Sequence, residues 1–129
     1  MKYKIIFSDF DGTISKSDNT VTDNVKAKIA SYRAAGGKFV LATGRLFSSI
    51  LPRIKELGID SGEAIVYQGG GVYDIATGKP IYLNVIEKEL AVNIIKEIES
   101  LDYCVPIAYF ADRCNCKEVN DAIKMFCGI

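Results

Sequence analysis

With 129 residues, 49% of them hydrophobic and 25% charged, the chain has the composition of an ordinary soluble globular domain and is too short for a multidomain machine. Sixteen Lys and Arg balance sixteen Asp and Glu, so no broad basic field exists to condense on nucleic acid or an anionic membrane. The sequence has no His, which removes Ser-His-Asp and Cys-His catalysis, HExxH zinc sites and imidazole acid/base chemistry together, leaving carboxylates, hydroxyls, thiols and cations.

The amino terminus offers only the apolar run Ile5-Ile6-Phe7 before Ser8 and Asp9, far short of a signal h-region or a membrane span, and this predicts a cytoplasmic protein. Lys4-Ile5-Ile6-Phe7 reads as a buried strand whose carboxyl end runs into acidic residues. Thr22 can cap a helix carrying Val25, Ile29 and Tyr32 on one stripe, and Gly36-Gly37 stops it. Lys38-Phe39-Val40-Leu41-Ala42 is the next strand. A second helix places Phe47, Ile50, Leu51, Ile54 and Leu57 on one side and ends at Gly58, with Pro52 either kinking it or marking its first turn. Ala64-Ile65-Val66-Tyr67 makes a third strand. This β-α-β-α-β order, with short connections, predicts right-handed crossovers and a parallel sheet, so the fold class is α/β.

Past Gly69-Gly70-Gly71 the pattern changes to Val72-Tyr73-Asp74, a turn through Thr77-Gly78, and Ile81-Tyr82-Leu83, which reads as an antiparallel hairpin. The glycine run lacks the Lys-Ser/Thr of a P-loop and reads as a flexible turn. A helix from about Glu87 to Leu101 aligns Leu90, Ile94, Ile98 and Leu101, a stripe read as core packing. Val105, Ile107 and Tyr109 alternate as a strand, and Val119, Ala122, Ile123 and Phe126 give a last amphipathic helix. The change of pattern near residues 82 to 86 predicts a boundary between residues 1–83 and 84–129. Cys104, Cys114, Cys116 and Cys127 all fall in the last 26 residues without paired C-x2-C knuckles, and they read as reduced thiols ahead of a zinc site.

Chemistry concentrates after the first two strands. Asp9-Phe10-Asp11-Gly12-Thr13 follows the first, at the carboxyl edge where open α/β sheets bind ligands. Two carboxylates one residue apart can divide labour, one attacking phosphorus or binding a metal while the other handles protons. Thr43-Gly44-Arg45 follows the second strand in the equivalent place. A Thr hydroxyl and free N–H groups can hold phosphate oxygens, with Arg45 adding a charge-assisted contact, whereas Thr43 alone would read as a simple helix cap.

These residues resemble the haloacid dehalogenase superfamily, in its Cof-type, type IIB cap branch of sugar-phosphate phosphatases. Asp9-Phe10-Asp11-Gly12-Thr13-Ile14 looks like the family's first motif and Leu41-Ala42-Thr43-Gly44-Arg45 like its second. Ile65-Val66-Tyr67-Gln68-Gly69-Gly70-Gly71-Val72-Tyr73-Asp74 is similar to the stretch before the cap, where Asn commonly stands in place of Gln68. The resemblance implies a partial Rossmann-like parallel sheet core, followed by the beginning of an α+β cap. It also implies Asp9 as the nucleophile that forms an aspartyl-phosphate and Asp11 as the acid/base. Thr43, with Gly44 and Arg45, would bind the phosphoryl group, and Mg2+ would be held by the Asp9 carboxylate and the Asp11 backbone carbonyl. The substrate would be a small phosphorylated metabolite, such as a sugar phosphate.

Family members continue with a bracing Lys and an acidic Gly-Asp motif that this sequence lacks. Asp112-Arg113-Cys114-Asn115 and Asn120-Asp121 lie in surroundings that look like the first half of a cap. The chain therefore reads as an amino-terminal portion or a shortened relative, with an exposed sheet edge through which copies would associate. The alternative reading is a catalytically incompetent domain that binds metal or phosphate or pairs with a second chain; a zinc-binding cap module is the third.

Overall fold

Local signals set the helix ends. In the computed structural model, which describes residues 2–110, 112–121 and 123–124, the Thr22 Oγ1 accepts the Val25 N–H at 3.4 Å and opens α1 (Asp23–Ala34). α1 closes with Gly36 N–H on the Arg33 carbonyl and Gly37 N–H on that of Tyr32. α2 (Phe47–Glu56) closes in the same way, through Gly58 N–H on Lys55 and Ile59 N–H on Ile54, and both isoleucines of that last bond are buried. Pro52 lies inside α2, so the first-turn alternative does not hold.

The chain divides into two units, Met1–Asn84 and Val85–Ile129. In the first, β1 (Ile5–Ser8), β2 (Lys38–Ala42), β3 (Glu63–Val66), β4 (Gly71–Asp74) and β5 (Pro80–Leu83) form one sheet in sequential order. β1, β2 and β3 are parallel, whereas β3, β4 and β5 run antiparallel. The α/β expectation holds, with the hairpin added to the same sheet.

Register sorts the side chains onto two faces. Phe39, Leu41, Ala64, Val66 and Tyr73 share one face, and with Ile29 of α1 and Ile50 and Ile54 of α2 they form the core. Ile5, Phe7, Val40, Ile65, Val72 and Tyr82 share the other. Lys38 and Glu63 also lie there and pair at 2.7 Å.

The buried-strand reading of Ile5-Ile6-Phe7 is corrected here: Ile5 is 41% and Phe7 58% exposed. β1 is an edge strand hydrogen-bonded only to β2, so its apolar side chains lack a neighbour on their outer side among the described residues.

The second unit holds α3 (Lys88–Glu99) and a hairpin of β6 (Ile107–Phe110) and β7 (Arg113–Cys116). β7 was not foreseen, because its Arg-Cys-Asn-Cys sequence carries little strand signal. The core-packing reading of the α3 stripe is also corrected: none of its residues is buried, and Leu90 is 55% exposed. One helix and a two-stranded hairpin have too little surface to cover a full apolar stripe. The expected last helix is described only at residues 121, 123 and 124, where the Asn120 side chain accepts the Ile123 N–H; Ala122, Phe126 and Cys127 lie outside the described residues. Cys104, Cys114 and Cys116 are of intermediate exposure. Among the described residues no helix is long and apolar enough to cross a membrane.

Candidate active site

The carboxyl ends of β1, β2 and β3 deliver three loops to one edge of the sheet. The first is organised around Phe10, whose ring is fully buried and whose carbonyl accepts the N–H groups of Thr13, Ile14 and Ser15 and the Ser15 hydroxyl. The turn requires a positive φ at Gly12, +71°, a region open to glycine without steric cost. Anchoring Phe10 in the core leaves the flanking Asp9 and Asp11 exposed. Asp9 Oδ1 accepts the Phe10 N–H at 2.7 Å, whereas Oδ2 has no hydrogen-bond partner among the described residues. One oxygen is thus fixed and the other available.

The second loop follows β2. Thr43 is buried, its N–H donates to the Ile65 carbonyl at 2.9 Å, and its Oγ1 accepts the Arg45 N–H at 3.2 Å. The simple-cap alternative for Thr43 does not hold: the residue at the α2 N-cap is Leu46, which makes no side-chain cap bond. The Arg45 guanidinium reaches back to the first loop, Nε donating to Asp11 Oδ2 at 2.8 Å and Nη2 to Asp11 Oδ1 at 2.6 Å. Nη2 also lies 3.4 Å from Asn19 Oδ1, and the cation sits 5.6 Å from the centroid of the Phe10 ring. The bidentate bond to Asp11 raises the Arg45 pKa further above its already high value and keeps it cationic. Arg45, expected to contact phosphate, is therefore committed to Asp11 in this state. Asn19 carried no sequence signal; its positive φ of 61° within the Lys16–Thr20 loop brings it to Arg45.

The third loop follows β3. Tyr67 N–H donates to the Arg45 carbonyl at 3.1 Å and Gln68 N–H to that of Thr43 at 3.3 Å, fastening this loop to the second. The Tyr67 ring packs edge-on to Tyr73, which stacks on Phe47 with centroids 4.5 Å apart. The glycine run that follows is used for the turn and for close packing: a Cβ on Gly71 would meet the Tyr67 ring at 2.9 Å and Leu83 at 3.1 Å. Asp112 and Asn120-Asp121 belong to the second unit.

Residues 6–124 match the family model of the haloacid dehalogenase-like hydrolases. The chain belongs to that family. It is 28% identical over 112 residues to the "Putative phosphatase YkrA" of Bacillus subtilis, which covers 87% of this chain and 41% of that protein. A haloacid dehalogenase-like hydrolase of Bacteroides thetaiotaomicron superposes with a TM-score of 0.79 at 25% identity, over 94% of this chain and 46% of that one. The subclass IIB sugar phosphatase BT4131 shares the fold, with a TM-score of 0.72 at 23% identity, over 95% of this chain and 46% of that one. The haloacid dehalogenase-like chain thus spans less than half the length of these relatives.

The donor set at the first loop suits a small hard cation. Asp9 offers an unpartnered carboxylate oxygen, and Mg2+ binds through one or two such oxygens while keeping waters and phosphate oxygens. Among the described residues no group of three His, Cys, Asp or Glu could complete an all-protein cage, and the Asp11 carboxylate is engaged by Arg45.

Proposed function

We propose that this chain carries the phosphoryl-transfer half-site of a Mg2+-dependent phosphatase acting on a small phosphorylated metabolite such as a sugar phosphate. The observation that carries the reading is the bidentate Arg45–Asp11 bond, which joins loops 34 residues apart and gathers Asp9, Asp11, Thr43 and Gly44 at one sheet edge.

On this reading one Asp9 carboxylate oxygen attacks phosphorus, a P–O bond to Asp9 forms, and the bond to the leaving oxygen breaks. Asp11, protonated, gives its proton to that oxygen. Asp11 then takes a proton from water as the water oxygen attacks phosphorus and releases Asp9. Thr43 and the Gly44 N–H hold non-bridging oxygens. Arg45 makes a bidentate bond to Asp11, so freeing Asp11 for proton transfer requires Arg45 to exchange it for the incoming phosphate. Mg2+, held by the Asp9 carboxylate and the Asp11 backbone carbonyl, would neutralise charge on the transferred group. Residues 1–83 would serve as catalytic core and 84–129 as the start of a cap, in the cytoplasm, where the thiols stay reduced.

A second reading has one supporting observation: exposed Ile5 and Phe7 on an edge strand suit pairing with a second chain or copy, with the isolated chain unable to turn over. One experiment tests the first reading. Beryllofluoride, which mimics a phosphoryl group on a carboxylate, should with Mg2+ give a bound 19F resonance on the chain that Asp9→Asn abolishes with its fold intact. A bound resonance that survives Asp9→Asn would remove Asp9 as nucleophile.

A further inference from the structure

Gln68 combines, at this edge, a costly backbone conformation with a side-chain amide that has no hydrogen-bond partner among the described residues. It occupies φ 56° and ψ 33°, directly after Tyr67 at φ 54°. With Gly69 at φ 92° and the Gly70 N–H on the Tyr67 carbonyl at 3.0 Å, Tyr67 to Gly70 form a type I′ turn. The first central position of that turn favours Asn, Asp or Gly, whose side chains tolerate the left-handed region; Gln gains nothing there. Its amide makes no hydrogen bond with any described residue. Strain without local return is a mark of a residue held for a ligand.

The amide is held at a particular place. A Cβ on Gly44 would fall within the van der Waals envelope of Gln68 Nε2 and 2.8 Å from Cδ, so the amide fills the space that a side chain at position 44 would occupy. The backbone of the same turn is bonded to the Thr43 and Arg45 carbonyls, which fixes the amide beside the second loop. Gly44 is thus required by the amide as well as by any phosphate that approaches its N–H.

Resting on the phosphatase reading above, we infer that Gln68 is a ligand of the transferred phosphoryl group, donating from Nε2 to a non-bridging oxygen between Thr43 and Gly44. An uncharged donor adds a directed hydrogen bond without competing with Arg45 for the Asp11 carboxylate. It also supplies a third anchor at the moment Arg45 changes partners.

The test is binding of inorganic phosphate with Mg2+ to the 129-residue chain, followed by the Gln68 side-chain NH2 and the Thr43 to Arg45 backbone resonances. Phosphate should shift all of them together. Gln68→Glu keeps size and backbone but places an anion against an anion, and Gln68→Ala removes the donor; each should weaken binding about tenfold or more, the range for a hydrogen bond to a charged group. Gln68→Gly relaxes the turn, so it should fold at least as well as wild type and still lose the same affinity. Gly44→Ala should displace the amide and match Gln68→Ala, and the double variant should bind no worse than either single one. Phosphate affinity unchanged in Gln68→Glu, in a chain where Thr43→Val does weaken it, would overturn the role of Gln68 and leave the phosphatase reading standing. A folded wild-type chain with no phosphate-dependent shift at Thr43 to Arg45 would overturn both.

Discussion

The two faces of the five-stranded sheet carry similar apolar side chains and meet different fates. On the helix side Ile50 and Ile54 are fully buried against Leu41, Ala64 and Val66. On the other side Val40, in the second strand, is buried, but Phe7 and Tyr82 are 58% and 53% exposed. The loops at the sheet edge go with the finished side: Phe10 and Ile14, which anchor the first loop, belong to the same buried cluster as Ile50. Apolar composition alone does not make a core; a covering element must be supplied, and here α1 and α2 supply it to one face.

Substitutions should separate the faces sharply. Ile54→Ala should cost about 2–5 kcal/mol, the range for truncating a buried aliphatic side chain, whereas Phe7→Thr, which keeps strand propensity, should stay within about 0.5 kcal/mol. Denaturant midpoints of the two variants decide this. Equal losses would mean that the β1 face is covered in solution. Phe7→Thr should also reduce self-association in sedimentation, since it removes an exposed ring from an edge strand.

A smaller effect sharpens how α1 is attached. Thr22→Ala should destabilise by about 0.5–1 kcal/mol, the low end for an N-cap because the bond to Val25 is long at 3.4 Å. The smallest is electrostatic. Glu56 accepts hydrogen bonds from Lys26 of α1 and from Arg53, and these lower its pKa below the ordinary 4.5. A depressed carboxylate contributes stability that is present above pH 4.5 and lost as pH falls through the folded value. Wild type should therefore lose more stability than Glu56→Gln between pH 5 and pH 3; parallel pH profiles would show that this link does not hold α1 to α2.

Much of this arrangement was legible in the sequence because it is set locally. The Thr22 cap, the glycines that end α1 and α2, and the Asp-Phe-Asp-Gly-Thr and Thr-Gly-Arg loops all follow from neighbours in the chain. The features that were not legible depend on distant partners. Ile5-Ile6-Phe7 has the pattern of a buried strand whether or not anything lies beside it, and the same holds for the stripe on α3. Arg45 could be assigned to phosphate from its position, but its bond to Asp11 is a contact across 34 residues that no periodicity reports. Gln68 had a usable signal: Gln-Gly after an apolar strand is one substitution away from the Asn-Gly of a type I′ turn, and that mismatch marks the position.

The central claim is that the site loops are fixed by contacts within residues 1–84, even though the outer strands leave apolar side chains exposed on one face of the sheet. Residue-resolved amide hydrogen exchange on the 129-residue chain tests it most directly. The N–H groups of Ile14 and Ser15, bonded to Phe10, and of Tyr67 and Gln68, bonded to Arg45 and Thr43, should be protected together with the Thr43 N–H that belongs to the β2–β3 ladder. Full protection of the ladder with free exchange at Ile14, Ser15, Tyr67 and Gln68 would contradict the account and show that contacts within residues 1–84 do not fix the loops.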